Sequence, residues 1–411
     1  MTCIVAGIDV HKRVLMVAVA DAGEQELEFE CRRFGTTTRE LEQLVAWLKA
    51  RQVQQVVMES TAQYWKPVWL ALEPHFRLEL AQAHSNRAPK GRKSDFRDTQ
   101  RLVRRFLCGE LILSFVPEAE QRQMRLLTRR RVQLTRDKVR LQNQLECLLE
   151  ETRLKLSSVG SDLLGASGKR ILAALAKGER DPKKLAALGD DRLQCTDEQL
   201  QEALTGFVSP IHRQLLGMYL EQLALLEEQI DQLTLLAAEA MRPHQQAIAR
   251  LAEVPGIRVI AAQQIVAEVG PQAAAFPTPA QLSSWAGSCP GREESAGDNR
   301  SGRCPKGNPY LRRVLCQAAQ AAVKTKNSRF QALFRRLLPR LGYAKAIWAV
   351  VRHMTVVLWK ILHEGVRYQE RGDVTTPQAA KRRAQRMVRQ LRRLGYDVQI
   401  TPLVANPSPA A

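Results

Sequence analysis

The chain has eight cysteines and no CxxC pair among them. They lie scattered at 3, 31, 108, 147, 195, 289, 304 and 316. That spacing suggests neither a zinc site nor a disulfide framework, and it fits buried or idle thiols in a reducing cytoplasm. The seven histidines form no pair at metal-ligand spacing either. His11 stands close to Asp9, but on a strand-turn it reads as a surface residue. No apolar run approaches the ~18–20 residues of a spanning helix. The first residues carry Asp9 and His11-Lys12-Arg13 where a signal-peptide core would be. A membrane is therefore not the expected site of action. Acid, finally, is scarce beside base. Lys+Arg number 62 against 42 for Asp+Glu, leaving a net charge of +20 and a pI near 10.0. Such a balance favours a polyanion, and DNA or RNA is the expected partner.

Four of those few acids stand at telling places. Asp9 closes the apolar run Cys3-Ile4-Val5-Ala6-Gly7-Ile8, and Glu59 closes Val56-Val57-Met58. Short apolar runs are buried strands, and a carboxylate at the end of one points out over the sheet edge. Asp95 and Asp98 follow the basic loop Pro89-Lys90-Gly91-Arg92-Lys93-Ser94 and open a helical pattern. Three residues apart, both can face one way. Taken singly, an Asp after a strand is usually a turn or cap residue. The order Asp, Glu, Asp-x-x-Asp inside a strongly basic chain points instead to an RNase H-like metal site. Oxygen ligands of this kind suit Mg²⁺, with Mn²⁺ as its substitute, and phosphate and water complete the octahedron.

At 411 residues the chain has room for two or three domains. Strands are predicted at 3–9, 14–20, 27–33, 53–59 and 77–82, with helices at 37–49, at 66–73 and from 96. That is the three-stranded meander plus βαβ order of an RNase H-like layer fold. From about 118 the pattern is helical. Leu127, Leu134, Leu141 and Leu148 recur every seventh residue, and a second heptad run carries Leu216, Tyr219, Leu223, Leu226, Ile230 and Leu233. The pair reads as an antiparallel coiled-coil hairpin or a dimerising arm, or as an ordinary helical bundle. Arg129, Arg130 and Arg131 lie in the first run, on a face expected to touch phosphate. The turn Val254-Pro255-Gly256-Ile257 is similar to half of a helix-hairpin-helix, a device that offers backbone N–H groups to phosphate. A loop rich in Gly, Ser and base follows, from Gly287 to Arg303. It leads through Lys306-Gly307-Asn308-Pro309-Tyr310 into a helix that begins with Leu311-Arg312-Arg313. The last 40 residues hold a basic amphipathic helix and a loose Pro/Ala end.

Within that loop Ser295 stands among Arg292, Arg300, Arg303 and Lys306. A serine hydroxyl is a poor nucleophile unless activated, while guanidiniums around it would neutralise a phosphodiester. From spacing alone a loop serine is a turn former, and Ser301 is nearly as good a candidate.

Taken together these motifs resemble the transposases of insertion-sequence family one-ten, which include the Piv-type DNA invertases. The match is carried by Gly7-Ile8-Asp9-Val10-His11-Lys12, by Met58-Glu59-Ser60-Thr61 through Trp69, and by Gly91-Arg92-Lys93-Ser94-Asp95-Phe96-Arg97-Asp98. In the second half it is carried by Val254-Pro255-Gly256-Ile257, Glu294-Ser295-Ala296-Gly297, and Ser301-Gly302-Arg303 through Arg313. Two departures are Pro305 after Cys304, and Ala62 where the family tends to have glycine. The resemblance implies an α/β plus all-α chain. A RuvC-like (RNase H-like) domain would occupy 1–115, a helical coiled-coil region 116–248, a mostly helical C-terminal transposase domain 249–370, and a basic helix and tail 371–411. It further implies that Asp9, Glu59, Asp95 and Asp98 bind Mg²⁺ and that Ser295 becomes covalently joined to DNA. Donor and target DNA would be chosen by a structured non-coding bridge RNA; the heptad runs, for their part, predict a homo-oligomer, a dimer or tetramer. Arg92, Lys93, Arg129, Arg130, Arg131, Arg292, Arg300, Arg303, Lys306, Arg312 and Arg313 are the expected nucleic-acid contacts. The competing reading is a RuvC-like nuclease or Holliday junction resolvase acting by metal-assisted hydrolysis, in which Ser295 is only a turn residue. A nucleic-acid-binding regulator with a degenerate site is a third, and the complete carboxylate set argues against it.

Overall fold

The apolar runs that end at Asp9 and Glu59 are neighbouring strands at the centre of a six-stranded sheet. The computed structural model describes residues 4–23, 26–60, 62–86, 95–159, 162–190, 193, 195–291, 293–295, 298–301, 304–370, 372 and 377–399. It forms two compact units, 1–118 and 119–411. In the first, β1 (Ile4–Val10), β2 (Val14–Asp21) and β3 (Glu30–Gly35) form an antiparallel meander. Helix α1 (Thr38–Ala50) leads to β4 (Gln55–Ser60), and α2 (Trp65–Leu72) leads to β5 (Arg77–Ala81). Both strands are parallel to β1. Helix α3 (Asp95–Leu107) and the short β6 (Leu113–Ser114) complete the order β3-β2-β1-β4-β5-β6. Only β6 was not expected, because two residues carry no periodicity.

The alternation of β1 and β4 shows why their runs are continuously apolar. Ala6, Ile8, Val10, Val56 and Met58 pack with Leu44, Trp47 and Leu48 of α1 and Val68, Trp69 and Leu72 of α2. Val5 and Val57 join clusters holding Val103 and Leu102 of α3. Both faces are covered, as parallel strands require. Each fully buried side chain of this core, Ile8 for example, contributes about 1.5–3 kcal/mol. Gly7 lets α3 come close: a Cβ there would lie 2.6 Å from Val103 Cγ2.

At the corner after β4, Ala62 has φ +56°, in the left-handed region. A glycine at this position would relax that strain, since the left-handed form costs a residue with a Cβ roughly 1–2 kcal/mol. Ala62→Gly should raise the stability of this unit by about 1 kcal/mol in denaturant melts. A loss of stability would show that glycine's greater freedom in the unfolded chain outweighs the relieved strain.

The second unit is helical: α4 (Ala119–Glu151), α5 (Leu156–Val159), α6 (Ala166–Lys177), α7 (Pro182–Ala186), α8 (Asp197–Ala203), α9 (Pro210–Ala240), α10 (Gln245–Ala252), α11 (Val259–Val269) and α12 (Pro279–Trp285). A two-stranded hairpin, β7 (Glu293–Ser295) and β8 (Asp298–Ser301), precedes α13 (Pro309–Ala322), α14 (Arg329–His363) and α15 (Pro377–Arg393). The heptad runs are α4 and α9, and they pair antiparallel within one chain. His244, just past α9, lies 3.1 Å from Glu120, and Lys138 is 2.7 Å from Glu227. Leu145 and Leu148 share a core cluster with Leu216 and Leu223. Of the three readings the heptads allowed, hairpin, dimerising arm and helical bundle, this seam is an intramolecular one.

Against the expectation of no spanning-length segment, α14 is long and apolar enough to cross a membrane by length and composition. Of the qualifying stretch, 56% is buried inside the protein. Ala346, Val350, Val351, Met354 and Leu358 are core residues, so its apolarity is that of a helix packed in protein.

Candidate functional site

The register of β1 against β4 sets Asp9 directly beside Glu59. Parallel neighbours lie about 4.8 Å apart, so two acids in register share one environment. Asp98 is on α3, which packs across β1, β2 and β4. Glu59 registers the crowding. Burial raises its pKa, and the charges of Asp9 and Asp98 raise it further, while a hydrogen bond from Asn86 and the charge of Arg101 oppose them. Asp9 also meets His11, with Oδ2 3.1 Å from Nε2, so the histidine assigned to the surface borders the site.

Two side chains not expected from the sequence organise these acids. Asn86 is buried, and its Nδ2 donates to Glu59 Oε2 at 2.6 Å. Arg101, one turn after Asp98, donates to Asn86 twice, from Nε to Oδ1 at 3.3 Å and from Nη2 to the carbonyl at 3.0 Å. Its Nη1 lies 2.9 Å from Asp98 Oδ1. That oxygen is buried and has no further partner among the described residues, so the Arg101 guanidinium alone faces it. Among the described residues no three acidic, His or Cys side chains converge as ready ligands. The Asp95 side chain lies outside them, although its backbone begins α3. The donor chemistry still fits a hard divalent cation, because the candidate ligands are all carboxylate oxygens.

In the second unit Ser295 is the last residue of β7, not a loop residue, and is paired with Asp298 across the hairpin turn. Ser301 pairs with Glu293 at the opposite end. The side chains of Ser295, Arg300 and Ser301, and all of Arg92, Lys93, Arg292 and Arg303, lie outside the described residues. The feet of the hairpin are closely tied. Asn308 caps α13, its Oδ1 accepting from Tyr310 N at 3.0 Å and Leu311 N at 3.1 Å, with Pro309 at the first helical position. Gly307 lies against the backbone of Ala286 and Gly287, where no Cβ would fit. Arg312 donates to the Gly287 carbonyl and stacks its guanidinium 4.1 Å from the Trp348 ring centre. The Lys306-Gly307-Asn308-Pro309-Tyr310 motif is thus a close approach, a cap and a helix start in succession.

Behind it lies a buried ion network that the sequence reading missed. Glu268 of α11 is fully buried. Arg129 grips it bidentately at 2.8 Å and 2.8 Å, Asn308 Nδ2 donates to it at 2.7 Å, and Arg125 stands 3.6 Å away. Burial works against the charge of Arg129, but the hydrogen bonds and charge of Glu268 outweigh it and hold the pKa above its ordinary value. Arg125 is pushed down to about 10 by burial, with Glu268 opposing. Arg131 is buried as well, donating to Gln263 Oε1 at 3.1 Å and the Ile260 carbonyl at 3.3 Å. Of the triplet expected to face phosphate, only Arg130 is exposed. Arg129 and Arg131 are turned inward because α4 packs on α11. Lys306 is exposed and Arg312 is held internally. Arg313 is the contrasting case: its Nη1 is buried with no hydrogen bond, and burial and the charge of Arg136 lower its pKa.

Two family models match the chain. One described as a transposase, of the DEDD type of IS110, covers residues 6–154, and the transposase IS116/IS110/IS902 family model covers residues 248–335. The first spans every candidate metal ligand and the second spans the serine hairpin. A "Probable family 20 transposase" of Pseudomonas aeruginosa is 26% identical over 378 residues, covering 88% of this chain and 98% of that protein. The "Insertion element IS110 uncharacterized 43.6 kDa protein" of Streptomyces coelicolor is 27% identical over 213 residues, 51% of this chain and 50% of its own length. The protein is a DNA-processing enzyme, a transposase. More particularly, each half of the chain is similar to transposases of the IS110 type.

Proposed function

We propose that this transposase recombines DNA with two chemical centres: a divalent-metal site in a RuvC-like first unit and a serine nucleophile in the second. The observation that carries the reading is the placement of Asp9 and Glu59 in register on parallel strands, with the charge of Asp98 near enough to act on Glu59. A meander extended by parallel β4 and β5 is the layer order expected of a RuvC-like fold. Asp9, Glu59, Asp95 and Asp98 would hold Mg²⁺ or Mn²⁺, which when bound supplies Lewis-acid polarisation of a phosphodiester. The Ser295 hydroxyl then attacks phosphorus. An Oγ–P bond forms as a P–O bond to one sugar breaks, Oγ gives up its proton, and the departing sugar oxygen takes one up. Attack by another strand's hydroxyl reverses the linkage and joins new ends. Lys306, Arg130 and the Arg136–Arg313 pair offer cationic contacts to phosphate.

Sequence choice in this reading belongs to a guide RNA, a structured non-coding bridge RNA. A chain of net charge +20 with no evident recognition helix suits backbone binding of both RNA and DNA. Assembly into a homo-oligomer is supported by the face of α9 that α4 leaves uncovered, where Ile211, Met218 and Leu225 are exposed at seven-residue spacing.

Asp9→Asn keeps the size of the side chain and removes its charge. Recombination should fall by the ~10²–10³ typical of losing one electrostatic catalytic group. Folding, followed by circular dichroism, should survive. Recombination at the parent rate in Mg²⁺ would remove the metal reading. A denaturing gel separates the competing chemistry, because only the serine route leaves protein attached to DNA.

A further inference from the structure

Arg101 and Asn86 serve no part of the chemistry just described, yet they occupy its centre. Asp9 and Glu59 stand side by side at the ends of two strands, and Asp98 on α3 is near enough for its charge to act on Glu59, so the acids are unfavourable neighbours without a counter-charge. The chain supplies one of its own. The Arg101 guanidinium lies 2.9 Å from Asp98 Oδ1 on one side and holds Asn86 on the other. Asn86 in turn holds Glu59. One planar cation, with its relay, therefore bridges an acid on α3 to an acid on β4.

We infer that Arg101 is a resident substitute for the metal: its guanidinium keeps the carboxylates assembled and competes with a divalent cation for Asp98. The inference rests on the metal reading and adds to it a positioning residue that sets cation affinity. Two features distinguish the arrangement from an ordinary i,i+3 surface pair. Asp98 and Arg101 are only 12% and 21% exposed. The buried Asp98 oxygen facing the guanidinium has no other partner among the described residues, so a cation that takes it competes with Arg101 alone. The Asn86 contacts remain available to keep Arg101 beside the site.

The test is Mn²⁺ binding by the full-length protein, read by titration calorimetry without DNA. Arg101→Gln removes the competing charge and should tighten Mn²⁺ binding by about tenfold, the scale of one unit charge at ion-pair distance. Its melting temperature should fall without Mn²⁺ and rise with Mn²⁺ by more than the parent's does. A merely structural residue would lower both. Arg101→Lys keeps the charge but lacks the fork that engages Asn86 and Asp98 together, so it should tighten binding by only about threefold. If Arg101→Gln does not fold at any Mn²⁺ concentration, the lysine variant decides the matter. Parent-like or weaker affinity in the folded variant overturns the role given to Arg101 and leaves the metal site standing. Absence of Mn²⁺ binding in the parent and in both variants overturns the metal reading and this inference with it.

Discussion

Glu268→Ala should cost the second unit about 3–5 kcal/mol, the scale of removing one partner from a buried ion pair. The loss does not come from the carboxylate's own contacts alone. With Glu268 gone, Arg129 loses a bidentate acceptor and Arg125 its nearby counter-charge, and both guanidiniums stay where α4 packs on α11. Arg125 is already depressed to about 10 with Glu268 present. Asn308 also loses an acceptor, at the foot of the serine hairpin. For a unit of this size the penalty corresponds to a fall in melting temperature of roughly 10 °C. Glu268→Gln should be intermediate, since its carbonyl can still accept from Arg129 while its amide cannot accept from Asn308. Calorimetry of the two variants measures this directly. A drop below 1 kcal/mol in Glu268→Ala would mean that water reaches the arginines and replaces the carboxylate.

The same network marks the limit of what the sequence makes legible. The strands carrying Asp9 and Glu59 could be read because strands covered on both faces must be apolar throughout, which leaves a terminal carboxylate conspicuous. The carboxylate order could be read for the same reason. Arg129 and Arg131 could not, because a helix dense in arginine looks solvated unless the partner is known. That partner is 139 residues away in α11. The available signal was Glu268 itself, a single acid in the apolar run Ile265-Val266-Ala267-Glu268-Val269. A carboxylate that a helix buries must find a cation, and an arginine-rich helix elsewhere in the chain was the place to look. Asn86 and Arg101 were hidden differently. Neither residue type is distinctive, and what makes them matter is a three-way contact among segments centred on 59, 86 and 101. The glycine and serine content around Ser295 pointed to a loop, whereas the chain forms a short hairpin, followed by Gly307 packed against Ala286 and Gly287 and by the Asn308 cap.

Ser295→Ala should abolish both the covalent protein–DNA adduct and recombinant product while leaving nucleic-acid affinity within about twofold of the parent. Affinity comes from many phosphate contacts, and one neutral hydroxyl releases no counterions. The hairpin register gives the comparison its control. Ser295 stands next to the turn, opposite Asp298, whereas Ser301 ends β8 opposite Glu293, near the tied feet. A nucleophile must reach a phosphate, which suits the turn, while the feet suit a residue that shapes the hairpin. Ser301→Ala should therefore keep part of its activity and still form adduct. Ser295→Cys should retain a trace, because a thiolate is a competent nucleophile with a different leaving-group character. Mass spectrometry of the peptide left on DNA after proteolysis locates the linkage without relying on rates. Phosphate on Ser301 would reverse the two assignments, and its absence from every serine would transfer the chemistry to metal-assisted hydrolysis by the carboxylates of the first unit.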